Sequence, residues 1–149
     1  MLILGISAYH GDSSAAILRD GKILAAAEEE RFTRIKHWAG FPKQAIAFCL
    51  KEAKVQLEQV DYIAINRNPR AQMLRKAAFV IRNLPRFRFI ADRIVNRKKL
   101  LAIHQTLEDE FGINAGSLRS KIRSVEHHLA HAAGSFFFSN FNYPFTIFT

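Results

Sequence analysis

His127 and His131 stand four residues apart in the run Glu126-His127-His128-Leu129-Ala130-His131. On a helix this spacing puts both imidazoles on one face, where they can chelate a single cation. His128 then points about 100° away and serves another purpose. A zinc-protease helix needs Glu directly after its first His, and His128 occupies that position, so this chemistry is excluded. Two imidazoles leave a metal short of ligands, so carboxylates or substrate oxygens must complete any site. The alternative is a pair of ordinary surface or core histidines.

A third imidazole, His10, lies in Ser7-Ala8-Tyr9-His10-Gly11-Asp12-Ser13-Ser14. A histidine in a polar turn can act as a general base because it titrates near neutrality. The plainer reading is a hydrogen-bonded turn in which Asp12 and Ser13 satisfy backbone groups. Arg31, Arg34 and Lys36 follow the acids Glu28, Glu29 and Glu30 as a compact cationic cluster. They can bind a phosphate or carbamoyl oxygen, or make solvated ion pairs of little energetic value. Arg67 and Arg70 have the same double reading, tilted toward anions because they follow a strand whose carboxyl end is a common ligand crevice.

These groups need a scaffold. Leu2 to Ile6 is a short apolar run, Ser14 to Leu18 a second, and Lys22 to Ala27 a third, with Asp20-Gly21 as a hairpin signal between the last two. Pro42 suits the first position of a helix over Lys43 to Lys54, whose Ile46, Cys49, Leu50 and Ala53 share one face. Tyr62 to Ile65 is a fourth strand, closed by Asn66, Asn68 and Pro69. Helices are expected over Arg70 to Asn83 and over Asp92 to Phe111, the second stopped by Gly112. Lys121 to Val125 is a fifth strand, running into a helix from about His127, and Pro144 to Thr149 begins another strand. The phenylalanines at 136–138 suit a core or an interface, and Gly134 has no glycine partners to form a phosphate loop. This order predicts a mixed sheet with helices, an α/β layer architecture carrying a helical insertion at about 70–111.

With 149 residues, 49% of them hydrophobic, the chain can bury a core without staples, as one domain over 1–149. Its one cysteine, Cys49, rules out an intrachain disulfide and a cysteine-based zinc site, which favours a reducing compartment. No apolar run reaches the roughly 18 residues of a spanning helix, and no signal-peptide pattern opens the chain, so a cytoplasmic location without membrane contact is expected. The net charge of +9 is a local property, because eleven cations against Asp92 alone give the segment 67–99 a charge of +10. Those cations read as solvated helix faces, and nucleic-acid binding through them is the weaker alternative.

Tyr9-His10-Gly11-Asp12-Ser13-Ser14-Ala15-Ala16, then Glu29-Glu30-Arg31-Phe32-Thr33-Arg34, then His127-His128-Leu129-Ala130-His131-Ala132 occur in this order. Together they resemble the amino-terminal part of the ATP-dependent O-carbamoyltransferases, the group of nodulation-factor and antibiotic carbamoylating enzymes. The resemblance covers nearly the whole chain and is least diagnostic over 70–116. It implies a ribonuclease-H-like sheet of the actin, hexokinase and Hsp70 ATPase type. It implies a divalent metal, iron foremost, on His127 and His131, and His10 as general base on the acceptor hydroxyl. Lys36, Arg67 and Arg70 would contact the carbamoyl or phosphate group. It further implies that carbamoyl phosphate and ATP form carbamoyl adenylate in a second, carboxy-terminal domain, and that the carbamoyl group then passes to a sugar-like or natural-product hydroxyl. Further aspartate ligands and the Gly-rich nucleotide loops belong beyond Thr149. The chain is therefore expected to be the amino-terminal portion of a longer enzyme, inert alone and prone to self-association. A non-catalytic binding module of the same fold is the alternative.

Overall fold

In the computed structural model, which describes residues 1–66 and 102–139, the chain begins as an antiparallel meander. Strand β1 (Leu2–Ser7) pairs with β2 (Ser14–Arg19), which pairs with β3 (Lys22–Glu28). Asp20 and Gly21 make the tight turn between β2 and β3 with φ of 51° and 80°, the left-handed pair that matches strand twist in a two-residue hairpin. On its other side β1 takes a parallel partner, β4 (Tyr62–Ile65), and β4 takes β5 (Ile122–Ser124), also parallel. The sheet order is β3-β2-β1-β4-β5. The expected mixed sheet and α/β class are therefore present.

Strict alternation along β1 sends Leu2, Leu4 and Ile6 into the core and Ile3, Gly5 and Ser7 toward the opposite face. Ala15 and Ile17 of β2 and Ile63 and Ile65 of β4 extend the same buried face. Helix α2 (Lys43–Ala53) covers it with Ala45, Ile46, Cys49, Leu50 and Ala53, the face that the sequence pattern indicates. Helix α3 (Ile103–Phe111) adds Ile103 and Leu107 to this core and ends where expected, at Gly112 with φ of 65°. Of the insertion expected at about 70–111, α3 is the described part. The helix expected from Arg70, Arg67 and Arg70 themselves, and the strand expected from Pro144 lie outside the described residues.

The start of α2 departs from the sequence reading. Pro42 is not the first helical residue: it precedes the helix with φ of −86° and ψ of 60°, and its carbonyl accepts from the Ile46 amide. The orphan amides of the first turn are served from elsewhere. Glu29, only 2% exposed, accepts hydrogen bonds from the amides of Gln44 (3.1 Å) and Ala45 (2.7 Å). A carboxylate at a helix amino terminus satisfies free N–H groups and also meets the positive end of the helix dipole. Glu29 sits just before the short helix α1 (Glu30–Thr33), which the sequence reading did not separate from the charged run. Glu108 on α3 works in a similar way. It is 3% exposed and accepts from the amides of Gly116 (2.9 Å) and Leu118 (3.0 Å), folding the 113–118 loop back onto the helix.

Two outcomes follow from these carboxylates. Glu29→Ala leaves one buried and one part-buried amide unpaired at the start of α2, and denaturant melts should show a loss of about 1–3 kcal/mol. An unchanged midpoint would remove Glu29 from this role. The amides of Gly116 and then Leu118 hold the Glu108 carboxyl below its ordinary value of 4.5. A depressed folded pKa contributes stability that is complete above the unfolded value and is lost as pH falls through the folded one. Glu108→Gln should therefore melt below the unsubstituted chain at neutral pH, with the gap closing on acidification. A gap independent of pH would contradict this.

Candidate functional site

Because β1, β4 and β5 run parallel, their carboxyl ends share one edge of the sheet. The chain leaves β1 into the turn carrying His10, leaves β4 at Asn66, and leaves β5 into helix α4 (His127–Phe137). Asn66 donates from Nδ2 to the Ser7 hydroxyl (3.2 Å), and the Val125 amide donates to the Ile65 carbonyl (2.8 Å), which carries the β4–β5 pairing up to α4. Glu126 caps α4 by accepting from the Leu129 amide (2.9 Å), and this bond holds its carboxyl below the ordinary range.

The structure brings three sequence-predicted residues together at this edge. The His127 and His131 rings are 4.5 Å apart between centroids, with Nε2 of one 3.2 Å from Nε2 of the other. The His10 ring approaches His127 from the β1–β2 turn at 6.0 Å. His128 lies beside His127 at 5.6 Å and is exposed. Burial, then the neighbouring His131, His128 and His10, hold His127 below the usual imidazole value, favouring the neutral form that ligates metals. Two nitrogens at about 2.0–2.1 Å from one ion lie roughly 2.9 Å apart at a right angle and roughly 3.4 Å apart at a tetrahedral angle. The observed 3.2 Å falls between and is also the length of an N–H···N hydrogen bond joining the two rings, and no third His, Cys, Asp or Glu joins the pair among the described residues.

His10 itself is exposed, with Nδ1 3.2 Å from the Gly11 carbonyl oxygen. A carbonyl only accepts, so in the neutral ring this contact makes Nδ1 the donor and Nε2 the acceptor. The turn is held by the segment that follows α1. Gly40 O accepts from the Tyr9 amide (3.1 Å) and from the Ser13 hydroxyl (2.8 Å), and Trp38 O accepts from the Ser13 amide (3.0 Å). Ser13 also bonds the His10 carbonyl (3.1 Å), as the turn reading anticipates. Asp12 does not serve the backbone in this way: its carboxylate accepts from His37 Nδ1 at 2.8 Å. None of these cross-links has a local sequence signal, because their partners lie some 25 or more residues away.

Of the cationic cluster, Arg31 lines an open groove of about 880 Å3, with Phe32 of α1 and Phe48 of α2 also on its wall. Gly5, Ala16, Ala26 and Ala64 floor the groove, and Ser7, Ser14, Glu28 and Asn66 also line it. Lys36 is exposed on the loop after α1, and Arg67 and Arg70 lie outside the described residues. Phe136, Phe137 and Phe138 do not enter the core among the described residues: Phe137 is 74% exposed.

Residues 2–148 match the family model described as the carbamoyltransferase N-terminus. The chain belongs to this family. It is similar to the nodulation protein NolNO of Sinorhizobium fredii, at 35% identity over 87% of this chain and 18% of that protein. It is also 40% identical, over 94% of its length, to an uncharacterized protein of Synechocystis sp., of which it covers 24%. A third relative, an uncharacterized protein of Methanocaldococcus jannaschii, is 42% identical over 43% of this chain and 12% of its own length. The chain thus spans a quarter or less of these relatives. No helix among its described residues is long and apolar enough to cross a membrane.

The packing of this carbamoyltransferase N-terminal chain around the His10 turn can be tested at Gly40. A Cβ there would stand 2.7 Å from the Trp38 ring, closer than side chains tolerate. Gly40→Ala should cost about 1–3 kcal/mol of stability, as overpacking does. Trp38 is the single tryptophan, so its emission should shift in the folded state. A variant with wild-type emission and midpoint would show that the indole has room.

Proposed function

We propose that this chain is the acceptor-side part of an ATP-dependent O-carbamoyltransferase, which moves a carbamoyl group from carbamoyl phosphate, by way of carbamoyl adenylate, to a hydroxyl. The observation that carries this reading is the convergence of His10 with His127 and His131 at the carboxyl ends of parallel strands. Membership of the carbamoyltransferase N-terminus family and the similarity to a nodulation protein support a small sugar-like or natural-product acceptor. The antiparallel hairpin strands followed by parallel β4 and β5 support the ribonuclease-H-like form of the sheet.

A hydroxyl is a weak nucleophile near neutral pH and needs a base within hydrogen-bond reach. Nε2 of His10, left with its lone pair by the Gly11 contact, takes the proton as the acceptor oxygen bonds to the carbamoyl carbon and the bond to the phosphate oxygen breaks. Charge developing on the carbamoyl oxygen and the leaving phosphate requires cations. Lys36, Arg67 and Arg70 supply them from the chain. His127 and His131 would hold a divalent ion, iron foremost, and the ion when bound would add Lewis-acid stabilisation of that charge. Formation of the adenylate, the remaining metal ligands and the nucleotide loops belong to other parts of a polypeptide of the relatives' length. The chain alone is therefore inert, a cytoplasmic piece that needs those parts as its partners and self-associates without them. The nucleic-acid reading of the 67–99 stretch remains the weaker one.

The test uses a polypeptide of the relatives' full length that carries this chain. His10→Ala should lower carbamoyl transfer by roughly 10²–10⁴-fold, the usual contribution of a general base, while adenylate formation survives. His127→Ala and His131→Ala should each deplete bound metal strongly, and His128→Ala should not. Equal metal content in all three variants, or loss of both chemical steps in His10→Ala, would overturn the assignment.

A further inference from the structure

The turn that carries His10 is bent more sharply than its sequence explains. Tyr9 and Asp12 flank His10 and Gly11 with φ of 57° and 63°, left-handed values that non-glycine residues adopt only when their surroundings hold them. His37, across from the turn, is a third such residue, with φ of 55°. Besides the Glu29 amide on Ser13 O, four links from 37–40 hold the turn. Three of these links, the Tyr9 amide to Gly40 O, the Ser13 amide to Trp38 O and the Ser13 hydroxyl to Gly40 O, contain no titratable group. The fourth is the 2.8 Å contact from His37 Nδ1 to the Asp12 carboxylate.

We propose that Asp12 and His37 form a proton-dependent latch that positions His10, so that protonation of His37 sets where the imidazole of His10 stands relative to His127. This rests on the reading of His10 as the base, but the latch itself is a property of the turn. Asp12 is two residues from His10 and needs its left-handed backbone to bring the carboxylate to His37. The charged groups facing His37 from neighbouring elements, among the described residues, are Asp12 from the β1–β2 turn and Glu30 from α1. Glu30 Oε2 accepts from the His37 amide at 3.3 Å. Both are acidic. The hydrogen bond to Asp12, then its charge, raises the imidazole above its ordinary value of 6.5, and Glu30 adds to this.

The sign follows from that direction. A raised folded pKa means that the latch is complete below the ordinary histidine value and opens as pH rises through the folded one. The opening of the latch therefore sets an alkaline limit on the positioning of His10. Both side chains of the latch are largely exposed, so its effect is that of an exposed ion pair, roughly two- to five-fold.

Hydrogen exchange and histidine NMR on the 149-residue chain test the latch without any assay of transfer. Across the pH at which His37 deprotonates, exchange at the Tyr9 and Ser13 amides, corrected for intrinsic rate, should rise roughly two- to five-fold. The His10 ring resonances should move in the same step. His37→Asn keeps a donor to Asp12 in a residue that tolerates positive φ, and it should abolish the step while leaving both amides protected. Asp12→Asn should lower the midpoint of the His37 titration and weaken protection at all pH. Amides and His10 resonances indifferent to His37 in both variants would overturn the latch. In the full-length polypeptide, His37→Asn should remove the alkaline limb of the kcat/KM profile for transfer. An unaltered limb alongside a lost exchange step would overturn the positioning of His10. Absence of transfer in the unsubstituted protein would instead refute the functional reading and leave the exchange result to decide the latch.

Discussion

One buried carboxylate organises this molecule. Glu29 lies where β3 gives way to α1, yet its oxygens end the backbone of a different helix, accepting from Gln44 and Ala45 at the start of α2. A charge withdrawn from water is tolerated only when hydrogen bonds replace its hydration, so the position of α2 is bound to the end of β3. The consequences spread in both directions. Toward the core, α2 is set over the sheet so that Ile46, Cys49 and Leu50 meet Leu4, Ile6 and Ile17. Toward the site, the Glu29 amide donates to Ser13 O, so the same residue also anchors the end of the turn that presents His10. Core and site are coupled through one residue, by its side chain to α2 and by its backbone amide to the turn.

What could be read from the residues and what could not divides along the range of the interactions. The five strands from β1 to β5, the Asp20-Gly21 turn, the buried face of α2 and the stop at Gly112 are written in local pattern, and each stands where the pattern puts it. The helix carrying His127 and His131 is likewise local, since a four-residue spacing needs only one turn of helix to bring the nitrogens face to face. Glu29 as the cap of α2 was not legible, because its helix begins fourteen residues later and a run of three glutamates looks like solvated charge. Pro42 appeared to suffice as a helix start for the same reason. The pairing of Asp12 with His37 depends on two left-handed backbones and a loop closure that no residue-type rule anticipates. The approach of His10 to His127 requires the sheet order, which the list of strands alone does not specify.

Under the proposed function, an imidazole that meets an acceptor hydroxyl gains from being fixed beforehand, because geometry settled during folding need not be found during reaction. The left-handed residues around His10 and the bonds from Trp38 and Gly40 act in that sense.

The sheet order also has a kinetic meaning. β1, β2 and β3 are consecutive and pair over short separations, whereas β5 pairs with β4 from a distant part of the chain. His10 belongs to the early hairpin and His127 to the helix that β5 delivers, more than a hundred residues later in the chain. Pairing at such separation closes a long loop and is slow relative to a hairpin. The contact of His10 with His127 thus depends on strand pairings between segments far apart in the chain.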